Sequence, residues 1–202
     1  MIVLGLGPSI KELARIERRP TTIGVNDVER HVGTVDHLVL LDAPADFLRT
    51  NGRARGTERL RTVTATRAGT VWIFDRHLDR WPSITANHPD VRPLKIRVAR
   101  HDEPLMHLDP ESDELAHFQI SPYTGASLAF RLGAKRIGLL GVDLIPGDHP
   151  VAVAAHTIDV RLGRLRGAMA QHGVDLVNLS PLSTLTSLPR KDIEEWTATP
   201  KS

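Results

Sequence analysis

Two glycines and a serine near the amino terminus have the types and spacing of a phosphate site. Gly5, Gly7 and Ser9 directly follow an apolar stretch at 1–4 and precede a segment with helical spacing. Glycines let a backbone approach an anion closely, and free N–H groups at the start of a helix donate hydrogen bonds to it. Pro8 suits the first helical turn, where its missing N–H costs nothing. The pattern predicts that this turn binds the phosphate of a nucleotide; the alternative is a tight turn without a ligand.

The spacing separates this turn from two common nucleotide motifs. The dinucleotide fingerprint G-x-G-x-x-G requires a third glycine where this chain has Ile10, and no Walker lysine follows the glycines. Asp27, near the end of the second predicted strand, stands where an acidic residue holds the ribose in dinucleotide-binding proteins. Binding of NAD or NADP therefore stays open as an alternative.

Strand and helix patterns alternate along the chain. Apolar, partly β-branched segments predict strands at 1–4, 22–26, 35–42, 71–75, 91–98, 136–143 and 174–178. Helical spacing predicts helices at 124–132 and 160–172. Residues 99–120, rich in Asp, Glu, His and Pro, predict a long loop or mobile lid. The repeated strand–helix units predict an α/β fold with a doubly wound, mostly parallel sheet.

Length and composition limit the domain organisation and the chemistry. The 202 residues, 41% of them hydrophobic, suffice for one sizeable core, so we expect a single domain over 1–190 and a tail at 191–202. In the tail, Trp196 is expected to cover an apolar edge or a partner subunit. The net charge is only +2, and the absence of cysteine excludes disulfides and thiol chemistry. Neither a secretory leader pattern nor an apolar run of membrane-spanning length is found, so we expect a cytoplasmic protein without a membrane segment.

Polar residues collect where the predicted strands end, which is where parallel sheets bind ligands. They include Asn26, Asp27, Asp42, Asp75 and Asp143. Small residues at the start of a predicted helix favour a second anion site at Ser121, Thr124 and Gly125. The alternative for Ser121 and Thr124 is capping of the helix, and for Asp143 it is bracing of loops.

Four short motifs and a later histidine occur in an order that points to a known family. The motifs are G-x-G-P-S at 5–9, Gly-Val-Asn at 24–26, Leu-Gly-Ala-Lys-Arg-Ile at 132–137 and Leu-Gly-Val-Asp at 140–143. In these segments the chain resembles the bacterial sialyltransferases of glycosyltransferase family 42. It is also similar to hydroxymethylpterin diphosphokinase-like proteins and to small phage-encoded proteins, the latter around 124–150 and 178–189. The similarity is poor between residues 50 and 117.

The resemblance implies a Rossmann-like, GT-A-like fold and the transfer of a sugar from a nucleotide-sugar to a hydroxyl acceptor, with no required cofactor or metal. Together with the strand-end residues, the expected nucleotide site comprises Gly5, Gly7, Pro8, Ser9, Asn26, Asp27, Ser121, Thr124, Gly125 and Asp143. A histidine acts as general base in these enzymes, and its counterpart here is His156, with His149 as the second candidate. Imidazole suits this role because it titrates near neutral pH.

The chain departs from the sialyltransferase pattern at two places. Leu6 stands where those enzymes have an asparagine, and Tyr123 is the one tyrosine of the chain, whereas those enzymes use two on the leaving phosphate. The expected substitutes at the leaving phosphate are Lys135, Arg136 or helix N-termini.

Two other functions stay open. A diphosphokinase of the hydroxymethylpterin type would use ATP with Mg²⁺, for which Asp42 and Asp75 are the natural ligands. The other alternative is a non-catalytic, nucleotide-binding phage accessory protein. A homo-oligomer is compatible with each of these functions.

An arginine-rich segment suggests a partner. It contains Arg49, Arg53, Arg55, Arg59, Arg61 and Arg67, and its one acidic residue is Glu58. Such a segment either contacts nucleic acid or forms a solvated basic surface. For a phage-encoded protein acting in the host cytoplasm, the hypothesis is that Arg53, Arg55 and Arg59 dock modified DNA as the acceptor.

Overall fold

The computed structural model of this protein describes residues 1–49, 53–98, 108, 112–118, 120–145 and 152–198, without the side chains of 49, 53, 54 and 152–154. In this part of the chain, eight strands form one sheet. They are β1 (Ile2–Leu4), β2 (Thr22–Val25), β3 (His37–Leu40), β4 (Thr70–Phe74), β5 (Val91–Val98), β6 (Glu114–His117), β7 (Arg136–Leu140) and β8 (Asp175–Asn178).

Helices connect the strands. They are α1 (Glu29–Val32), α2 (Pro44–Arg49), α3 (Arg53–Thr64), α4 (Pro82–Asn87), α5 (Ser121–Arg131), α6 (Ala152–Gln171) and α7 (Ile193–Ala198). Two 3₁₀ helices follow β1 and β4, at Pro8–Arg15 and Asp75–Arg80. None of the helices in the described residues is long and apolar enough to cross a membrane.

The strand order is β6-β5-β4-β3-β2-β1-β7-β8, and every neighbouring pair is parallel. The chain moves outward from β1 to β6 and then returns to the other side of β1, so the order reverses between β1 and β7. Sheets of this kind bind ligands beyond the carboxyl ends of the strands, next to such a reversal. The predicted doubly wound α/β fold is confirmed.

The strands are apolar on both faces because each face is covered by its own hydrophobic cluster. Val3 belongs to the cluster that includes Leu162 and Met169 of α6, whereas Ile2 and Leu4 belong to the cluster on the opposite face. This alternation follows from the two-residue repeat of a strand, and burial on both faces is typical of parallel sheets.

Two strands end earlier than predicted because the next residue has a positive φ. Asn26 follows β2 with a φ of 52°, and Gly141 follows β7 with a φ of 74°. These values lie in the left-handed region, which asparagine and glycine adopt most readily and which no strand continues through. The polar residues beyond both strands are therefore on loops at the carboxyl edge of the sheet.

Two helices begin earlier than predicted. Helix α5 begins at Ser121, and Pro122 in its first turn lacks only an N–H that would have no helical partner. Helix α6 begins at Ala152, because its first turns contain alanines with high helix propensity but no apolar repeat that the sequence pattern can register.

The segment 99–120, predicted as a loop or lid, contains a strand. Its residues Glu114–His117 form β6 at the edge of the sheet, paired with β5, whereas 99–107 and 109–111 lie outside the described residues. Leu115 of β6 and Phe118 share a hydrophobic cluster with Tyr123 of α5, and the Phe118 and Tyr123 rings meet edge to face at 5.1 Å. The end of β6 therefore lies against the start of α5.

The terminal helix covers the protein's own core. Trp196 of α7 is 7% exposed and packs in the cluster of the second face, with the Arg136 guanidinium 4.7 Å above its ring. Of the two expected roles for Trp196, the structure shows the covering of an apolar edge.

Gly125 is required for the packing of α5 on the sheet. A Cβ added at Gly125 would lie 2.7 Å from a methyl group of Val3, whereas one added at Gly167 in α6 would meet nothing within 4 Å. Alanine normally stabilises a helix by about 1 kcal/mol relative to glycine. We expect Gly167→Ala to raise the free energy of unfolding by about that amount and Gly125→Ala to lower it by roughly 1–3 kcal/mol, because overpacking outweighs the propensity. Denaturant unfolding checks both variants, and a stabilised Gly125→Ala would contradict the packing argument.

Candidate functional site

The glycine turn after β1 packs against the loop after β7. Gly5 N–H donates to the Leu140 carbonyl at 2.8 Å, and Gly7 N–H donates to the Gly141 carbonyl at 2.7 Å. A Cβ on Gly5 would lie 2.4 Å from the Gly141 oxygen. The glycines are therefore needed for the close approach of two backbone loops, and their N–H groups are not available to a phosphate.

A carboxylate from the protein itself occupies the start of the first 3₁₀ helix. Asp143 Oδ2 accepts a hydrogen bond from Ser9 N–H at 2.7 Å, and Asp143 is 3% exposed. A Cβ on Gly7 would lie 2.5 Å from the same Oδ2. Since Pro8 has no N–H to offer, this carboxylate stands where the sequence predicted a phosphate. The structure thus supports the bracing role for Asp143 and the interpretation of 5–9 as a turn without a ligand.

Asp27 and Arg59 form a buried ion pair. Arg59 donates to both carboxylate oxygens, from Nε at 2.9 Å and from a terminal nitrogen at 2.8 Å, and Arg30 lies 3.4 Å away. Asp27 is fully buried, and Arg59 lies over the Phe47 ring at 5.2 Å. Neither residue is available for the role expected of it, a ribose contact for Asp27 and a DNA contact for Arg59. Arg55 is exposed on α3, and the side chain of Arg53 lies outside the described residues.

Asn26, like Asp143 at its Oδ1, is a predicted residue with a buried polar atom that has no partner among the described residues. Its Nδ2 donates to Asp42 Oδ2 at 3.0 Å, and its buried Oδ1 has no partner within the described chain. Burial, together with the nearby Asp46 carboxylate, raises the pKa of Asp42. Asn26 and Asp42 therefore place hydrogen-bond acceptors side by side beyond β2 and β3.

Three residues that the sequence analysis did not single out extend this pair toward α5. His77 is buried in the second 3₁₀ helix, and Arg76 Nε lies 3.4 Å from its Nε2. The guanidinium of Arg76 lies 4.5 Å from the centre of the Phe74 ring. At the end of β6, His117 Nδ1 is 2.7 Å from the Thr124 hydroxyl.

We refer to these residues as the edge cluster: Asn26, Asp42, Arg76, His77, His117 and Thr124. The cluster is electrostatically connected, because His77 acts on the charge of Asp42 and Arg76 acts on that of His117. Burial, with a smaller effect of the Arg76 charge, lowers the pKa of His117 to about 4. Burial also lowers the pKa of His77, helped by the cations Arg76 and Arg80. Both imidazoles are consequently neutral at pH 7, and Arg76 is the cation between them.

The residues at the start of α5 have contacts other than those expected. Thr124 is fully buried against His117, and Gly125 packs on Val3. The N-cap of α5 is Ile120, without a side-chain hydrogen bond, so neither Ser121 nor Thr124 caps the helix. Ser121 is partly buried in the first turn.

The candidate bases differ in how well they are placed. His156 is exposed in the second turn of α6, and α6 begins at the carboxyl edge because it connects β7 to β8. His149 lies outside the described residues. Lys135 and Arg136, expected at the leaving phosphate, lie at the amino end of β7, where Arg136 donates to the Trp196 carbonyl at 2.6 Å. They cannot reach the carboxyl edge. Among the described residues, no group of three or more His, Asp or Glu side chains is arranged to hold a metal ion.

Comparison with known proteins identifies the fold. No protein-family model matches the chain, and no curated protein sequence is similar to it. Solved structures are similar. Sialyltransferase CST-II in complex with a trisaccharide acceptor and CMP superimposes with a TM-score of 0.51 and 14% identity, over 93% of this chain and 84% of that one.

Two further structures of the same enzyme are similar. A CST-II variant with CMP gives a TM-score of 0.52 and 13% identity, over 93% and 84% of the two chains. CstII from Campylobacter jejuni with the substrate analogue CMP-3FNeuAc gives 0.48 and 13%, over 95% and 87%. The resemblance to sialyltransferases found in the sequence is confirmed at the level of the fold.

The bracing role of Asp143 can be tested by its removal. We expect Asp143→Ala to lower the free energy of unfolding by about 1–2 kcal/mol, because the Ser9 N–H loses its buried acceptor. Asp143→Asn is the matched control, since its amide oxygen still accepts this bond and keeps most of the stability. Unfolding in urea measures both. An Asp143→Ala variant as stable as the wild type would contradict the bracing role.

The electrostatic link within the edge cluster can be tested by titration. Nuclear magnetic resonance should show that His117 titrates near pH 4, and that Arg76→Gln raises this pKa because a neighbouring positive charge is removed. The pKa of His117 is lower in the folded than in the unfolded protein, whose imidazole takes up protons as pH falls below about 6.5. The imidazole therefore favours folding above that pH, and this stability is lost as pH falls toward 4. An unchanged His117 titration in Arg76→Gln would contradict the link.

Proposed function

We propose that this protein is a glycosyltransferase that moves a sugar from a nucleotide-sugar to a hydroxyl acceptor at the carboxyl edge of its sheet. The observation that carries the proposal is the fold, which the chain shares over 93% of its length with a sialyltransferase that binds CMP and a trisaccharide acceptor. The edge cluster supports this location. It brings polar and charged side chains together at the carboxyl edge of the sheet, which is where this fold class binds ligands.

In the proposed site, Asn26 and Asp42 contact the nucleoside part of the donor. Both offer oxygen acceptors, and the buried Oδ1 of Asn26 has no partner of its own among the described residues. A buried acceptor that stays unpaired costs about 1–3 kcal/mol, which a ligand hydroxyl or amino group can recover. The donor therefore presents N–H or O–H groups here, as a ribose or a nucleobase does.

The proposed base is His156, with His149 as the second candidate. In the transfer step the acceptor oxygen bonds to the anomeric carbon and its proton passes to the imidazole. The bond between that carbon and the phosphate oxygen breaks, and its electron pair stays on the phosphate. We propose that no metal ion takes part, as the resemblance to the sialyltransferases implies.

The identity of the donor is tested by calorimetry with CMP, UDP, GDP, ATP and NAD, each with and without Mg²⁺. The proposal expects binding of CMP, or of another nucleotide used as a sugar carrier, that is unchanged when EDTA replaces Mg²⁺. Binding of ATP only with Mg²⁺ would favour the diphosphokinase alternative and overturn the proposal. Binding of none of the five would overturn nucleotide-dependent transfer altogether.

The base is tested by His156→Ala and His149→Ala in a transfer or donor-hydrolysis assay. Loss of a general base lowers turnover roughly 10²–10⁴-fold while nucleotide affinity is retained. His172→Ala is the matched control, since His172 is also exposed but follows α6 at the opposite, amino edge of the sheet. Full turnover in both His156→Ala and His149→Ala would contradict the proposed mechanism, and loss in only one identifies the base.

A further inference from the structure

We propose that Arg76 binds the phosphate of the donor nucleotide and stabilises the charge left on that phosphate when the sugar departs. This inference rests on the proposed function and adds to it the residue that contacts the anionic part of the donor. Arg76 directly follows Asp75, at the carboxyl end of β4, and belongs to no motif of the sequence.

The guanidinium of Arg76 is held in place without the use of its terminal nitrogens. Its Cζ lies 4.5 Å from the centre of the Phe74 ring, and its Nε donates to the buried His77. No ion pair or hydrogen bond of its two terminal nitrogens is found in the described part of the chain. An arginine that lies over an aromatic ring and whose terminal N–H groups have no partner among the described residues can donate two of them to a tetrahedral oxyanion.

The charges around Arg76 favour an anionic ligand over an internal partner. Both neighbouring histidines are neutral at pH 7, so Arg76 is the cation of the edge cluster. The adjacent Asp75 carboxylate accepts the backbone N–H of Arg76 at 2.8 Å and forms no ion pair with its side chain. Asp42, the acidic member of the cluster, is paired with Asn26.

Several other arginines are engaged elsewhere. Arg59 and Arg30 neutralise the buried Asp27, and Arg136 lies at the amino end of β7 on Trp196. Tyr123, the one tyrosine, is buried at 2% exposure, and its burial raises its pKa well above the ordinary value. Arg76 is thus a described side chain at this edge that can balance a phosphate.

When the glycosidic bond of the donor breaks, its electron pair stays on the phosphate oxygen and the negative charge of the phosphate grows. A fixed guanidinium at that oxygen stabilises the transition state more than the ground state, because charge develops only as the bond breaks. Arg76 would therefore contribute both to binding and to turnover.

The experiment is calorimetry of CMP and of cytidine at pH 7 with the wild type, Arg76→Gln, Arg76→Lys and the control Arg61→Gln. Arg61 is exposed near the end of α3 and has no contact with the edge cluster. We expect Arg76→Gln to weaken CMP binding roughly 10- to 100-fold and to leave cytidine binding unchanged, because only the phosphate contact is lost. Arg76→Lys keeps the charge without the planar pair of donors, so its CMP affinity should be intermediate. Arg61→Gln should bind both as the wild type does.

Three outcomes would overturn the inference. Equal CMP affinity in the wild type and Arg76→Gln overturns it while leaving the proposed function intact. An equal loss of CMP and cytidine binding assigns Arg76 to the nucleoside or to folding, and Arg76→Lys with circular dichroism separates these two. If the wild type binds a different nucleotide of the panel, that nucleotide and its nucleoside replace CMP and cytidine. If it binds none, the inference fails together with the proposed function.

Discussion

The close approach of the loops after β1 and β7 is the constraint on which the rest of this site depends. Gly5 and Gly7 carry no Cβ, so their N–H groups reach the Leu140 and Gly141 carbonyls, and Asp143 closes the start of the first 3₁₀ helix. A buried carboxylate at this position satisfies a donor that water cannot reach, and it excludes a second anion by charge and by volume. The place where a glycine-rich turn normally receives phosphate is therefore filled, and the ligand site that we propose lies further along the edge, beyond β2, β3 and β4.

The strand at the far edge of the sheet also contributes to the edge cluster. The order of the strands places β6 at the edge, four strands from β2, yet Leu115 and Phe118 share one hydrophobic cluster with Val25 and Tyr123. Their burial holds the end of β6 against the first turn of α5. This packing brings His117 within hydrogen-bond distance of the Thr124 hydroxyl. The edge cluster is thus assembled by core packing between segments distant in sequence. Its electrostatics follow from the same packing, since desolvation keeps His77 and His117 neutral and raises the pKa of Asp42.

Sequence patterns predicted the features that depend on neighbouring residues, but not those that depend on contacts between residues distant in sequence. The strands were recognisable because both faces of a parallel sheet are apolar, and Asn26 was singled out because it is the last residue of such a predicted strand. The pattern could not tell a glycine turn that binds phosphate from one that binds a carboxylate of the same chain, because both need glycine and the choice depends on Asp143, 134 positions from Ser9. Asp27 likewise looked like a ribose ligand until Arg59 was found beside it. Arg76 and His117 were missed because no spacing marks them. The signal available was that Arg76 directly follows the strand predicted at 71–75, in which Phe74 offers a ring for the guanidinium to lie over.

The charge of the edge cluster is relevant to the choice between two reactions, transfer of a sugar from a nucleotide-sugar and transfer of a diphosphate from a nucleoside triphosphate. Arg76 has no acidic partner among the described residues, the pKa values of both neighbouring imidazoles are lowered, and burial raises the pKa of Asp42. The positive charge here, to which Arg80 near His77 adds, suits the phosphate that links a sugar to a nucleoside in the proposed donor. A nucleoside triphosphate carries more charge, and proteins that transfer its phosphates supply several cations and carboxylates that bind Mg²⁺. For this reason we favour the proposed transfer of a sugar over transfer of a diphosphate, and the residues behind this preference lie outside the glycine motif that first suggested a nucleotide.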